Sequence, residues 1–108
     1  MTKRELKQIY YLNKEIKLYQ QQLNKIDKDD EKEKTELETI INGLSTKIKR
    51  QHRDIMEYIS TLDDSFIRQI MTCRFIRLMS WTATAAAVGG GNTADGVRKT
   101  LDRFFEKK

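Results

Sequence analysis

A chain of 108 residues with a formal net charge of +5, no proline and one cysteine has room for a single domain with a modest core. It contains no apolar run long enough to span a bilayer, and the lone thiol of Cys73 can close no internal disulfide, which is compatible with a reducing cytoplasm. Charged residues make up 34% of the chain, yet the apolar residues recur with a period, so an elongated helical protein is expected rather than a disordered one. The opening "MTKRELKQIYYLNKEIK" is charged throughout and lacks the apolar h-region of a signal peptide.

Ile9, Leu12, Ile16, Tyr19, Leu23 and Ile26 fall at alternating steps of three and four, a heptad-like stripe on a first helix. The stripe stops at "DKDDEKEK", Asp27 to Lys34. A second stripe follows at Leu37, Ile41, Leu44, Ile48, Ile55, Ile59 and Leu62, interrupted near Gln51 and His52. Asp29 or Asp30 is the expected cap of this second helix, with Glu31 and Glu33 suited to its positive end. Neither helix can bury its stripe alone. The pair either folds back as a hairpin, the preferred arrangement, or stays extended as a coiled coil with a second chain. Residues 1–62 are thus expected to form a helical pair for dimerisation or partner binding.

At "TLDDSF" the pattern changes. Asp63, Asp64 and Ser65 are all cap-type residues, and Phe66, Ile67, Ile70, Met71, Cys73 and Phe75 supply a wide apolar face, extended by Ile76 and Leu78. Ser80 suits the N-cap of a short helix, Trp81 to Val88, with Trp81, Ala85 and Val88 facing inward and Ala83, Ala86 and Ala87 allowing close approach. Gly89, Gly90 and Gly91 then end that helix, because glycine adopts the left-handed backbone at no steric cost. The last helix is capped by Asn92, with Asp95 completing an approximate capping box, or equally by Thr93. It should bury Ala94, Val97, Leu101, Phe104 and Phe105. At 100° per residue, Asp95, Lys99, Asp102 and Arg103 then point outward, with Gly96 and Arg98 on the flanks. Three helices with a tight glycine turn between the last two form the pattern of a helix-turn-helix module. The expected fold is all-α: a long N-terminal helical hairpin or coiled coil, then a three-helix helix-turn-helix module over residues 63–108.

Charge distribution agrees. Residues 1–62 hold thirteen Lys/Arg against eleven Asp/Glu, whereas the shorter segment 63–108 holds eight against five. The quoted residues also carry a family likeness. Asp63–Asp64, Ile67–Arg68 with Ile70, Arg74–Phe75–Ile76, Trp81, Ala85–Val88 and Val97–Arg98 resemble the C-terminal part of small phage and prophage regulators of the ArpU/RinA kind. These are similar in turn to region 4 of sigma-70-type factors, the part that binds promoter DNA. The likeness covers roughly the last 45 residues of the chain. Thr84, Ala85 and the triple glycine depart from the family pattern.

The resemblance implies a sequence-specific activator of phage or prophage genes in the cytoplasm of a bacterial host. Its partners would be double-stranded DNA, host RNA polymerase and a second copy of the chain, a dimer being favoured, with no membrane. Some small phage DNA-packaging subunits also carry helix-turn-helix modules, so a non-enzymatic assembly or interaction protein is the alternative.

On DNA, the Asn92 or Thr93 end of the last helix would enter the major groove, with its amides facing a phosphate. Lys99 would reach guanine O6/N7 or a phosphate; Arg98 would reach a phosphate or pair with Asp102. Arg103 would contact the backbone, Arg74 and Arg77 would clamp it, Asp95 could accept from cytosine N4, and Gly96 would permit close approach. Trp81 is expected as a core plug and Cys73 as a buried thiol. No catalytic set, cofactor or metal site is expected. His52 has no companion at ligand spacing, "GGGN" lacks the Gly-Lys-Ser/Thr of a phosphate loop, and "DKDDEKEK" lacks the glycine of a calcium loop.

Overall fold

In the computed structural model, which describes residues 1–27 and 29–107, five α-helices and one short π-helical segment form the protein, and no strand occurs among the described residues. Helix α1 runs Lys3–Lys25 and α2 runs Glu31–Ser60. Thr2 caps α1 by accepting from the Glu5 amide, and Asp30 rather than Asp29 caps α2 by accepting from the Glu33 amide at 3.1 Å. Ile26 is already extended (φ −69°, ψ 142°), and the Asp30 amide closes the reversal by donating to the Asp27 carbonyl at 3.0 Å. Lys28, within the expected turn, lies outside the described residues.

The two helices pack along one another as a hairpin. Leu37 and Leu44 are buried in its seam, while Leu12, Ile16, Tyr19 and Leu23 are only partly covered. Helix α2 continues unbroken through Gln51 and His52, where the apolar stripe lapses. Gln51 fills that gap with a polar contact, its Nε2 donating to the Glu5 carbonyl of α1 at 2.8 Å.

Helix α3, Ser65–Met71, passes directly into the π segment Thr72–Ile76. Of the three cap-type residues Asp63, Asp64 and Ser65, Asp64 is the cap, accepting from the Phe66 and Ile67 amides, and Ser65 is the first residue of the helix. Leu78, at φ 53°, turns the chain out of the π segment and leads to α4, Trp81–Val88. Ser80 caps α4 as expected, accepting from the Ala83 amide at 3.0 Å. Gly89, Gly90 and Gly91 all have positive φ, between 69° and 73°, so each takes a backbone form that a β-carbon disfavours. Helix α5, Ala94–Glu106, follows under a Thr93 cap that accepts from the Gly96 amide at 3.0 Å. Asn92 does not cap α5; its Nδ2 donates back to the Gly89 carbonyl at 2.5 Å and closes the turn.

Helices α3, α4 and α5 pack against one another. Their core is not separate from the hairpin. Leu6, Ile9, Ile55 and Ile59 join Ile67, Ile70, Met71, Phe75, Ala85, Val97 and Leu101 in one cluster. The junction between α2 and α3 falls at residues 61–64, near the expected boundary, but one core spans it. Burial of each large apolar side chain in it stabilises by about 1.5–3 kcal/mol. The free end of the hairpin extends beyond this core, giving overall dimensions of 54 × 25 × 18 Å.

Some expected facings differ. Ala86 and Ala87 of α4 are exposed, and Thr84 is completely buried instead. Thr84 lies one position from Ala85, so the inward face of α4 is rotated toward it. Leu6, which precedes the recognised α1 stripe, is fully buried.

Candidate nucleic-acid interface

The expected site residues fall into three groups. Asn92, Thr93, Asp95, Arg98 and Lys99 come together as exposed residues at the glycine turn and the first half of α5. The buried side of that half is pinned by Val97 and Leu101, 0% and 1% exposed, which fixes the outward direction of the others. Asp95 is not part of a capping box. Its carboxylate receives Arg98 Nη2 at 2.5 Å and Lys99 Nζ at 3.0 Å. These hydrogen bonds, from Lys99 first and then Arg98, hold the carboxyl below its ordinary pKa. Arg98 therefore pairs with Asp95 and not with Asp102, which instead pairs with Lys3 at the start of α1. Gly96 is partly buried, and a β-carbon there would approach Thr93 Oγ1 to 3.0 Å, so the space it leaves serves the cap.

Arg103 and Arg77 are exposed; Arg103 stands one turn beyond Lys99 on the outward face of α5, and Arg77 lies on a different element, just past the π segment. Arg103 lines an open cleft with Asp63, Asp64, Thr100 and Lys107, where α5 passes the α2–α3 junction. Arg77 lines a second cleft with Arg68, Thr72 and Val88, between α3 and the end of α4.

Arg74, expected as a phosphate clamp, is half-buried, and its guanidinium is engaged with groups of the fold itself. Its guanidinium lies 4.1 Å from the ring centroid of Trp81 and 4.8 Å from that of Tyr10. Its Nη1 donates to the Met79 carbonyl at 2.6 Å. Tyr10 in turn donates its hydroxyl to the Arg74 carbonyl and meets Phe75 edge-on, the centroids 6.0 Å apart. Burial lowers the Arg74 pKa and raises that of Tyr10. This stack ties α1 to α4 through the π segment, and it gives the partly buried Trp81 a fastening role.

Cys73 is buried. No group of three or more His, Cys, Asp or Glu residues placed to hold a metal occurs among the described residues. No helix among them is long and apolar enough to cross a membrane. Compared with known proteins, the chain matches no family model, no curated protein and no solved structure.

Proposed function

We propose that this protein is a double-stranded DNA-binding transcriptional regulator of phage or prophage genes, acting as an activator at a promoter. The observation that carries this reading is the exposed first half of α5, held outward by Val97 and Leu101 behind a glycine turn, with Arg98 and Lys99 side by side upon it. A helix so presented fits the major groove, where long basic side chains reach guanine edges or phosphates. The hairpin would supply the homodimer contact. Leu18 and Ile40, 65% and 42% exposed, lie on its free part and would be covered by a second copy. Two modules would then meet paired half-sites about one helical turn apart or a multiple of it. Recruitment of host RNA polymerase is part of the same proposal.

The test is an Arg98→Gln/Lys99→Gln variant titrated against duplex DNA. Binding should weaken, and the log–log salt slope should fall by about 0.9 for each phosphate that the variant no longer neutralises, with helicity unchanged. Affinity unaltered by the double substitution would remove α5 from the interface. A second reading, a helical assembly protein such as a small DNA-packaging subunit, is favoured by the same exposed apolar residues and by the carboxylate that neutralises Arg98 and Lys99. It calls for a ring larger than a dimer and no DNA affinity above background.

A further inference from the structure

The start of α1 lies outside the exposed half of α5. Lys3, Arg4, Lys7, Gln8 and Tyr11 lie together on the surface of the first turns of α1, with three cations and no carboxylate among them. Its position comes from a contact across almost the whole chain: Lys3 pairs with Asp102 of α5. Asp102 and Arg98 stand four residues apart and so share a flank of α5. Through the Lys3–Asp102 pair this surface lies on the side of α5 and not at the distant end of the hairpin.

The charges along this line are unequal in availability. Arg98 and Lys99 are both held by Asp95. Lys3 is occupied by Asp102, and in that pairing it cancels the negative charge that would otherwise break the strip. Arg4 and Lys7 are exposed, and neither takes part in an ion pair among the described residues. Tyr11 beside them is 60% exposed, which leaves its hydroxyl able to donate to an anion. Unneutralised cations with an exposed hydroxyl, next to a helix presented for groove binding, suit the regularly spaced phosphates of a nucleic acid backbone.

We infer that the first turns of α1 form a second phosphate-binding surface, in which Arg4, Lys7 and Tyr11 hold the DNA backbone flanking the segment that α5 enters. This rests on the DNA-binding reading and adds a surface to it. The N-terminal helix would then position the duplex as well as support dimerisation. The contact carries no sequence information of its own; it sets register and adds affinity.

The experiment compares the full-length protein with an Arg4→Gln/Lys7→Gln variant on a duplex about three helical turns long, by anisotropy across a salt series. Both residues are exposed, so the melting temperature should match that of the wild type; the single Lys7→Gln variant serves if it does not. The expected result is a salt slope smaller by about 1.8 and an affinity lower on the order of tenfold at near-physiological salt. Wild-type binding that responds to Arg98→Gln/Lys99→Gln but not to Arg4→Gln/Lys7→Gln would overturn this inference and leave the α5 reading standing. No wild-type binding at all would overturn both.

Discussion

Replacing Arg74 with alanine distinguishes a fastening inside the fold from a clamp on phosphate. The substitution deletes the hydrogen bond to the Met79 carbonyl and the stacking on the Trp81 and Tyr10 rings. A hydrogen bond from a charged donor contributes about 1.5–3 kcal/mol. Each ring contact adds about 0.5–2 kcal/mol, the larger figure where water is excluded. Desolvation opposes these gains, since burial lowers the Arg74 pKa and its buried Nε has no hydrogen-bond partner among the described residues. The net destabilisation should be about 2–4 kcal/mol. For a domain of this size each kcal/mol shifts Tm by about 4–8 °C, so the fall should be about 8–32 °C. Thermal melts followed by circular dichroism measure it directly. Arg74→Lys keeps the charge but gives up the planar stack, and should fall between alanine and wild type. An unchanged Tm together with weakened DNA binding would instead make Arg74 a phosphate ligand.

Thr84→Val should raise stability by about 1 kcal/mol in urea unfolding, because the buried Thr84 hydroxyl has no partner among the described residues and valine keeps the side chain's shape. A drop in stability would show that the hydroxyl is satisfied. Gly90→Val should cost about 1–2 kcal/mol or more, since Gly90 has φ +69°; an unchanged Tm would deny that strain. Asp95→Asn should tighten non-specific DNA binding severalfold by releasing Arg98 and Lys99, whereas weaker binding would assign Asp95 a direct base contact. Burial raises the Tyr10 phenol above its ordinary value of 10.0, against a smaller opposing pull from Arg74. A pKa raised by folding gives stability that is full below the unfolded value and lost as pH rises through the folded one. Melts from about pH 9 to about pH 11 should therefore fall in the wild type and fall less in Tyr10→Phe, and parallel curves would exclude Tyr10 as the source.

Local signals are the most legible in this chain. Ser80 and Asp64 each cap the helix that begins at the next residue, and the three glycines each take positive φ, because capping and left-handed backbone depend on a few adjacent residues. Asn92 and Thr93 are both cap formers, and only the geometry of the turn assigns Asn92 to Gly89 and the cap to Thr93. Leu6 stands three residues before Ile9, where strict alternation would fall on Glu5, so it shares the buried face without extending the heptad-like stripe. The exposed half of α5 is legible because its residues are neighbours in sequence and one helical period orders them. Arg74 is not, because it reads as surface until Tyr10, 64 residues away, is brought against it. The Lys3–Asp102 pair spans 99 residues and depends on how the hairpin docks. The π segment adds a local change of helical period that no residue type announces.

Engagement of a particular stretch of duplex DNA by the C-terminal helices is measurable by fluorescence anisotropy. Purified protein is titrated against a pool of labelled host and phage promoter fragments, at near-physiological salt with excess unlabelled competitor. Selective, saturable binding to one fragment is the expected result. Absence of binding, or equally weak binding to every fragment, would contradict it.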